Sequence, residues 1–131
     1  MAPQEPALDS VIASYRKELR RLHIRPLRVL LFGSWARGRQ HEGSDVDLLI
    51  ISSDFKGKGL RRRLELLGIA AARALVPVQA LGYTPEEVEA REPGSLLDDI
   101  LSGPTTAVGA TSMHAWPDNG YSNRRPRRLR E

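Results

Sequence analysis

The chain has 131 residues, no cysteine and a formal net charge of +4. That length suits one small domain burying roughly two-thirds of its unfolded surface, and the missing cysteines exclude a disulfide framework and any thiolate metal site, which fits a reducing cytoplasm. The charge is local: the last eight residues, RRPRRLRE, carry five arginines and one glutamate, so residues 1–123 are neutral overall and nucleic acid is not a favoured partner of the body.

No basic segment leads into an apolar stretch at MAPQEPALDS, so no signal peptide is expected. No apolar run approaches the ~20 residues needed to span a bilayer, so no membrane partner is expected either. Leu8, Val11, Ile12, Tyr15, Leu19 and Leu22 recur at steps of three and four, which predicts an amphipathic helix ending before Pro26. Leu27 to Phe32 reads as a buried strand stopped by Gly33, and Asp45 to Ser52 as a second strand. SDFKGKG is the loop after it, and Leu60, Leu64, Leu67, Ala71 and Leu75 mark a second long helix.

Val76 to Leu81 reads as a third strand, with Pro77 placing it at an edge or marking its start. In YTPEEVEAR, Thr84 caps a helix, Pro85 takes its first position and Glu87 completes a capping box. A last helix begins at Ser95, with Asp98 in box position, and ends at Gly103-Pro104. This alternation predicts an α+β (α/β-like) domain over residues 1–104, a small mixed sheet flanked by helices. Residues 105–131 lack periodicity and are expected to form a mobile basic tail.

The stretch FGSWARGRQHEGSDVDLLI, from Phe32 to Ile50, joins the first two strands and carries the chemistry. Alternate side chains of a strand share a face, so Asp45 and Asp47 point the same way, with Cα atoms roughly 6.5 to 7 Å apart. Two carboxylates on one face repel; a divalent cation between them relieves this, and Mg²⁺ takes one or two carboxylates plus water and phosphate oxygens. Gly33 lets a backbone N–H approach a ligand closely, Ser34 adds a hydroxyl, and Arg37 can form a fork to phosphate oxygens. A lone D-x-D or a lone Gly-Ser turn is weak; a phosphate cradle and an acid pair on adjacent strands together suit a nucleoside triphosphate with Mg²⁺.

GSWARGRQHEGSDVDL resembles the G-S-x-A-R-G-x₅-S-D-x-D-L signature of the minimal nucleotidyltransferases, small members of the polymerase-β-like nucleotidyltransferase superfamily. Gly33, Ser34, Ala36, Arg37, Gly38, Ser44, Asp45, Asp47 and Leu48 all fall on the pattern. The resemblance covers the chain to about residue 104 and implies the superfamily's mixed sheet flanked by helices. It also implies transfer of NMP from an NTP, ATP above all, to a hydroxyl of a macromolecular acceptor. Asp45 and Asp47 would then be the catalytic and metal-binding pair, holding one or two Mg²⁺ ions. Gly33 and Ser34 would contact the β- and γ-phosphates, Arg37 would join them or brace the loop, and Ser44 would cap or orient the acid-bearing strand. Similar proteins work beside a helical HEPN-domain protein as its antitoxin, which implies such a partner; a homo-oligomer is also open.

The pattern breaks at one point. The superfamily commonly supplies a third carboxylate from a neighbouring strand, and the equivalent position in VPVQALGY carries Gln79, which has no charge and cannot act as a general base. The alternative reading is therefore a catalytically weakened nucleotide-binding or toxin-binding module. Lys56, Lys58 and Arg61 to Arg63 read as solvated charge more readily than as triphosphate contacts, His41 as a surface residue, and Trp35 as packing beside the loop.

Overall fold

The computed structural model describes residues 8–40 and 45–108. Helix α1 spans Leu8–Arg21, strand β1 Arg28–Phe32, the short helix α2 Gly33–Ala36, and strand β2 Val46–Ile51. A 3₁₀ turn at Ser53–Phe55 leads to α3, Leu60–Ala74; β3 is Val78–Tyr83, α4 Pro85–Glu89, α5 Leu96–Ser102 and β4 Thr106–Ala107. The sheet order is β3-β2-β1-β4. β1 runs antiparallel to β2 and to β4, while β2 and β3 are parallel, so the sheet is mixed as expected.

Strand alternation divides the apolar residues between two layers. Val29, Leu31, Val46, Leu48 and Ile50 face α1 and α3, where Tyr15, Leu19, Leu66, Leu67 and Ala70 close the larger core. Leu30, Leu49 and Ile51 face the other way, onto Val88 of α4 and Leu97, Ile100 and Leu101 of α5. β2 is buried on both sides, which is why it reads as a continuous apolar run rather than an alternating one. The Tyr15 hydroxyl donates to the Leu67 carbonyl at 3.0 Å and ties α1 to α3; burial pushes its ionisation well above the usual range.

Three expectations need correction. The inward stripe of α3 is Arg63, Leu66, Leu67 and Ala70, whereas Leu60, Leu64 and Leu75 stand 60%, 51% and 89% exposed. Arg63 replaces leucine inside because every side of its guanidinium is met. Nε donates to Lys58 O at 2.8 Å, Nη1 to Gly82 O at 3.1 Å and to Glu87 Oε1 at 2.7 Å, and Nη2 to Glu87 Oε2 at 3.0 Å. Arg63 also stacks over the Phe55 ring, so it is no solvated charge.

The second correction concerns the start of α5. Ser95 Oγ accepts from Asp98 N–H, but the Asp98 carboxylate accepts from Gly94 N–H and Arg91 Nε instead of returning to Ser95. At α4, by contrast, Thr84 and Glu87 form both halves of the expected capping box. Third, the order does not stop at residue 104. β4 pairs Ala107 with Leu30 and Thr106 with Leu31, and Val108 N–H donates to Val29 O. A two-residue strand leaves no periodicity to read, and its basis is the otherwise open edge of β1. The rest of the expected tail, 109–131, lies outside the described residues, as does Ser44.

Candidate active site

The antiparallel register of β1 and β2 places the end of one beside the start of the other, with Phe32 opposite Asp47. Gly33, the next residue, turns the chain at φ +75° into α2. A Cβ added at Gly33 would overlap Asp47 Oδ2 and lie 3.0 Å from its Cγ. Only glycine accommodates both the left-handed backbone and this close approach of turn to carboxylate. The expected role of Gly33, close approach of its backbone to a ligand, is thus joined by a close approach to the carboxylate itself.

Asp45 and Asp47 flank Val46, whose side chain is buried in the larger core, so both carboxylates belong to the opposite face. Asp45 is exposed and Asp47 half-buried. Burial, and then the charge of Asp45, raise the Asp47 carboxyl above the ordinary carboxylate range. Gln79 stands directly opposite Asp47 in the parallel β2–β3 register, and its Nε2 donates to Asp45 Oδ2 at 3.1 Å. A carboxylate only accepts, so the NH₂ end of the amide must be the one turned to Asp45.

Of the other expected site residues, Ser34 lies in the first turn of α2 and is half-buried. Arg37 ends that helix, its backbone N–H donating to Gly33 O and Ser34 O. Its exposed side chain reaches the end of α5, with Nη2 3.9 Å from where a Cβ of Gly103 would stand. That places the guanidinium near a helix C-terminus, where a cation is favourable. Trp35 packs against the larger core, as its packing reading expected, although its indole Nε1 is buried with no hydrogen-bond partner among the described residues.

Phe32, Asp47 and Gln79 also line an open groove of about 440 Å³ whose other wall is Leu64 and Gly68 of α3, with Leu81 beyond. The sequence reading missed this groove. Its signal was the surplus of leucines on α3, more than one buried stripe requires.

Among the described residues, no third His, Cys, Asp or Glu joins Asp45 and Asp47 to make a closed metal cage. The donor set, two hard carboxylate oxygen groups crowded together beside a glycine turn, still fits Mg²⁺, which keeps several waters and completes its shell with substrate phosphate.

Fold and site define the class first: a small α+β domain with a carboxylate pair at the mouth of a strand–glycine–helix turn. The nucleotidyltransferase domain family model matches residues 12–101, and the chain belongs to that family. Among solved structures, the chain is similar to one of a toxin–antitoxin with AMP-PNP, at 19% identity and a TM-score of 0.54 over 82% of this chain and 77% of that one. It is also similar to a Sulfolobus solfataricus protein classed as a nucleotidyltransferase, at 20% identity and a TM-score of 0.43 over 69% and 84%. The first likeness bears on the fold alone. No curated protein sequence matches the chain. Among the described residues, no helix is long and apolar enough to cross a membrane.

Proposed function

We propose that this nucleotidyltransferase transfers AMP from ATP to a hydroxyl of a macromolecular acceptor, using Asp45 and Asp47 as the catalytic pair and as ligands for Mg²⁺. The observation that carries the reading is the contact of the Gly33 turn with the Asp47 carboxylate, leaving no room for even one methyl group. Such an approach sets the glycine turn against one acid of the pair, which supports a site that holds a triphosphate and a cation together. Bound there, Mg²⁺ would supply Lewis-acid stabilisation of charge at the α-phosphate and orient the leaving group.

The chain's own residues do the rest. Gly33 and Ser34 contact the β- and γ-phosphates, and Ser44 orients the acid-bearing strand. Arg37 fixes the turn against α5 and lends its charge to the phosphates. The acceptor oxygen forms a bond to the α-phosphorus, the bond to the β-phosphate oxygen breaks, and pyrophosphate leaves. Gln79 cannot take the acceptor's proton, so that proton passes to solvent or to an oxygen of Asp45 or Asp47.

A HEPN-domain protein is the proposed partner, with this chain as the antitoxin in a cytoplasmic pair. The similarity of the fold to a toxin–antitoxin with AMP-PNP supports the antitoxin role and the choice of ATP, while the HEPN partner follows from the motif resemblance. A second reading, a nucleotide- or toxin-binding module with weakened transfer, draws its support from the neutral Gln79 beside Asp47.

Incubation of the chain with α-³²P-ATP, Mg²⁺ and a lysate of the source cells separates the two. Under the first reading wild type labels an acceptor, and Asp45→Asn/Asp47→Asn lowers the rate by roughly a thousandfold or more. Metal-dependent ATP binding with no label from any of the four NTPs selects the second.

A further inference from the structure

We infer that Gln79 confines the carboxylate pair to a single divalent cation, committing one oxygen of Asp45 to its own amide and offering no charge where a second ion would need it. The inference rests on the proposed cation at Asp45 and Asp47, and goes beyond it to the number of ions and the residue that sets it.

The argument is one of register and charge. Asp47 and Gln79 are paired positions on neighbouring parallel strands, so their side chains rise side by side on one face. Any further donor that β3 could bring to the pair must therefore come from position 79. What stands there is an amide whose NH₂ is directed at Asp45 Oδ2, 3.1 Å away. Two ions in a paired site lie ~3.5–4 Å apart and repel strongly. Holding them takes carboxylate oxygens shared between both, and among the described residues no third carboxylate joins Asp45 and Asp47. Here one of the four oxygens already accepts an N–H, and Gln79 brings the pair the positive end of an amide dipole in place of a negative charge. One ion between Asp45 and Asp47, completed by water and phosphate, meets none of these obstacles. Gln79 is thus a positioning residue: it fixes the orientation of Asp45 and thereby the coordination the pair can offer.

Gln79 is exposed, so its replacement by another polar residue leaves the core untouched. The test is a Mn²⁺ titration of the full chain with one equivalent of α,β-methylene-ATP, followed by electron paramagnetic resonance, with Asp45→Asn/Asp47→Asn as the background. Wild type is expected to bind one Mn²⁺ above that background, with the spectrum of an isolated ion. Gln79→Glu is expected to bind two, with the broadened spectrum of a coupled pair. Two coupled ions in wild type, or a single ion in Gln79→Glu that keeps the wild-type melting curve, would overturn the inference while leaving the carboxylate site standing. No Mn²⁺ above background in wild type removes the cation reading itself, and this inference with it.

Discussion

Two acidic sites stand at opposite ends of β3, and the protein treats them in opposite ways. Past its C-terminal end, Glu87 closes a capping box and pairs through both oxygens with Arg63, which is buried. Hydrogen bonding to Arg63 is the main cause that holds the Glu87 carboxyl below its usual range. Beside its N-terminal end, Asp45 and Asp47 share a face, Asp45 accepts from the Gln79 amide, and Asp47 is pushed the other way. An acid that serves the fold is given its cation by the chain itself. Asp47 is instead half-buried beside a like charge, the arrangement that the proposed cation would relieve.

The largest expected effect falls on the fold-serving end. Glu87→Gln leaves Arg63 charged and buried, and should cost about 2 kcal/mol in urea melts at pH 7. That is less than the ~3–5 for a fully buried pair, because the Glu87 side chain is 43% exposed. A carboxyl held low in the folded state contributes stability above its unfolded pKa and loses it as pH falls through the folded value. The difference from wild type should therefore shrink below about pH 4. Cation binding should be unchanged, and a change would mean that the two ends are coupled.

Gly33→Ala should act on both stability and site. The φ of +75° alone costs about 1 kcal/mol with a Cβ present, and the overlap with Asp47 must also displace the carboxylate. Loss of nucleotide transfer together with a lowered melting temperature is expected; retained transfer would show that the turn need not touch Asp47. The contrasting position is Leu75, which caps α3 at φ 57° while 89% exposed. Leu75→Gly relieves that left-handed strain at little loss of burial, and should stabilise the protein by about 0.5 kcal/mol without altering transfer.

Asp47→Asn should give a small but the most diagnostic shift. A carboxyl whose folded pKa is raised binds its proton more tightly when folded, so the native state loses stability as pH climbs from the unfolded value through the folded one. Removing the charge should stabilise the ligand-free chain at pH 7 by under about 1 kcal/mol, the scale of partly exposed charge interactions. The gain should vanish below about pH 4.

Much of the site end was legible in the sequence. The spacing from Gly33 to Asp47 is local, strand alternation puts both acids on one face, and the family resemblance singled out Gln79, which the register sets opposite Asp47. The other end was not. Arg63 looks like one of three consecutive arginines until Glu87, 24 residues on, meets it with both oxygens of its carboxylate. Helical periodicity therefore favoured the wrong leucines of α3, and with them hid the groove that Leu64 and Gly68 make beside Asp47. β4 was lost for the same reason, since its two residues are a strand only because β1 offers them an edge.

The measurement that bears most directly on this contrast is a pair of thermal melts at pH 7. Wild type and Asp45→Asn/Asp47→Asn are compared with and without Mg²⁺ and α,β-methylene-ATP. Without ligand the double variant should melt at or above wild type; with both ligands only wild type should gain several degrees, as binding to the native state alone requires. An equal gain in the two proteins, or a double variant that is the less stable one without ligand, would contradict the account.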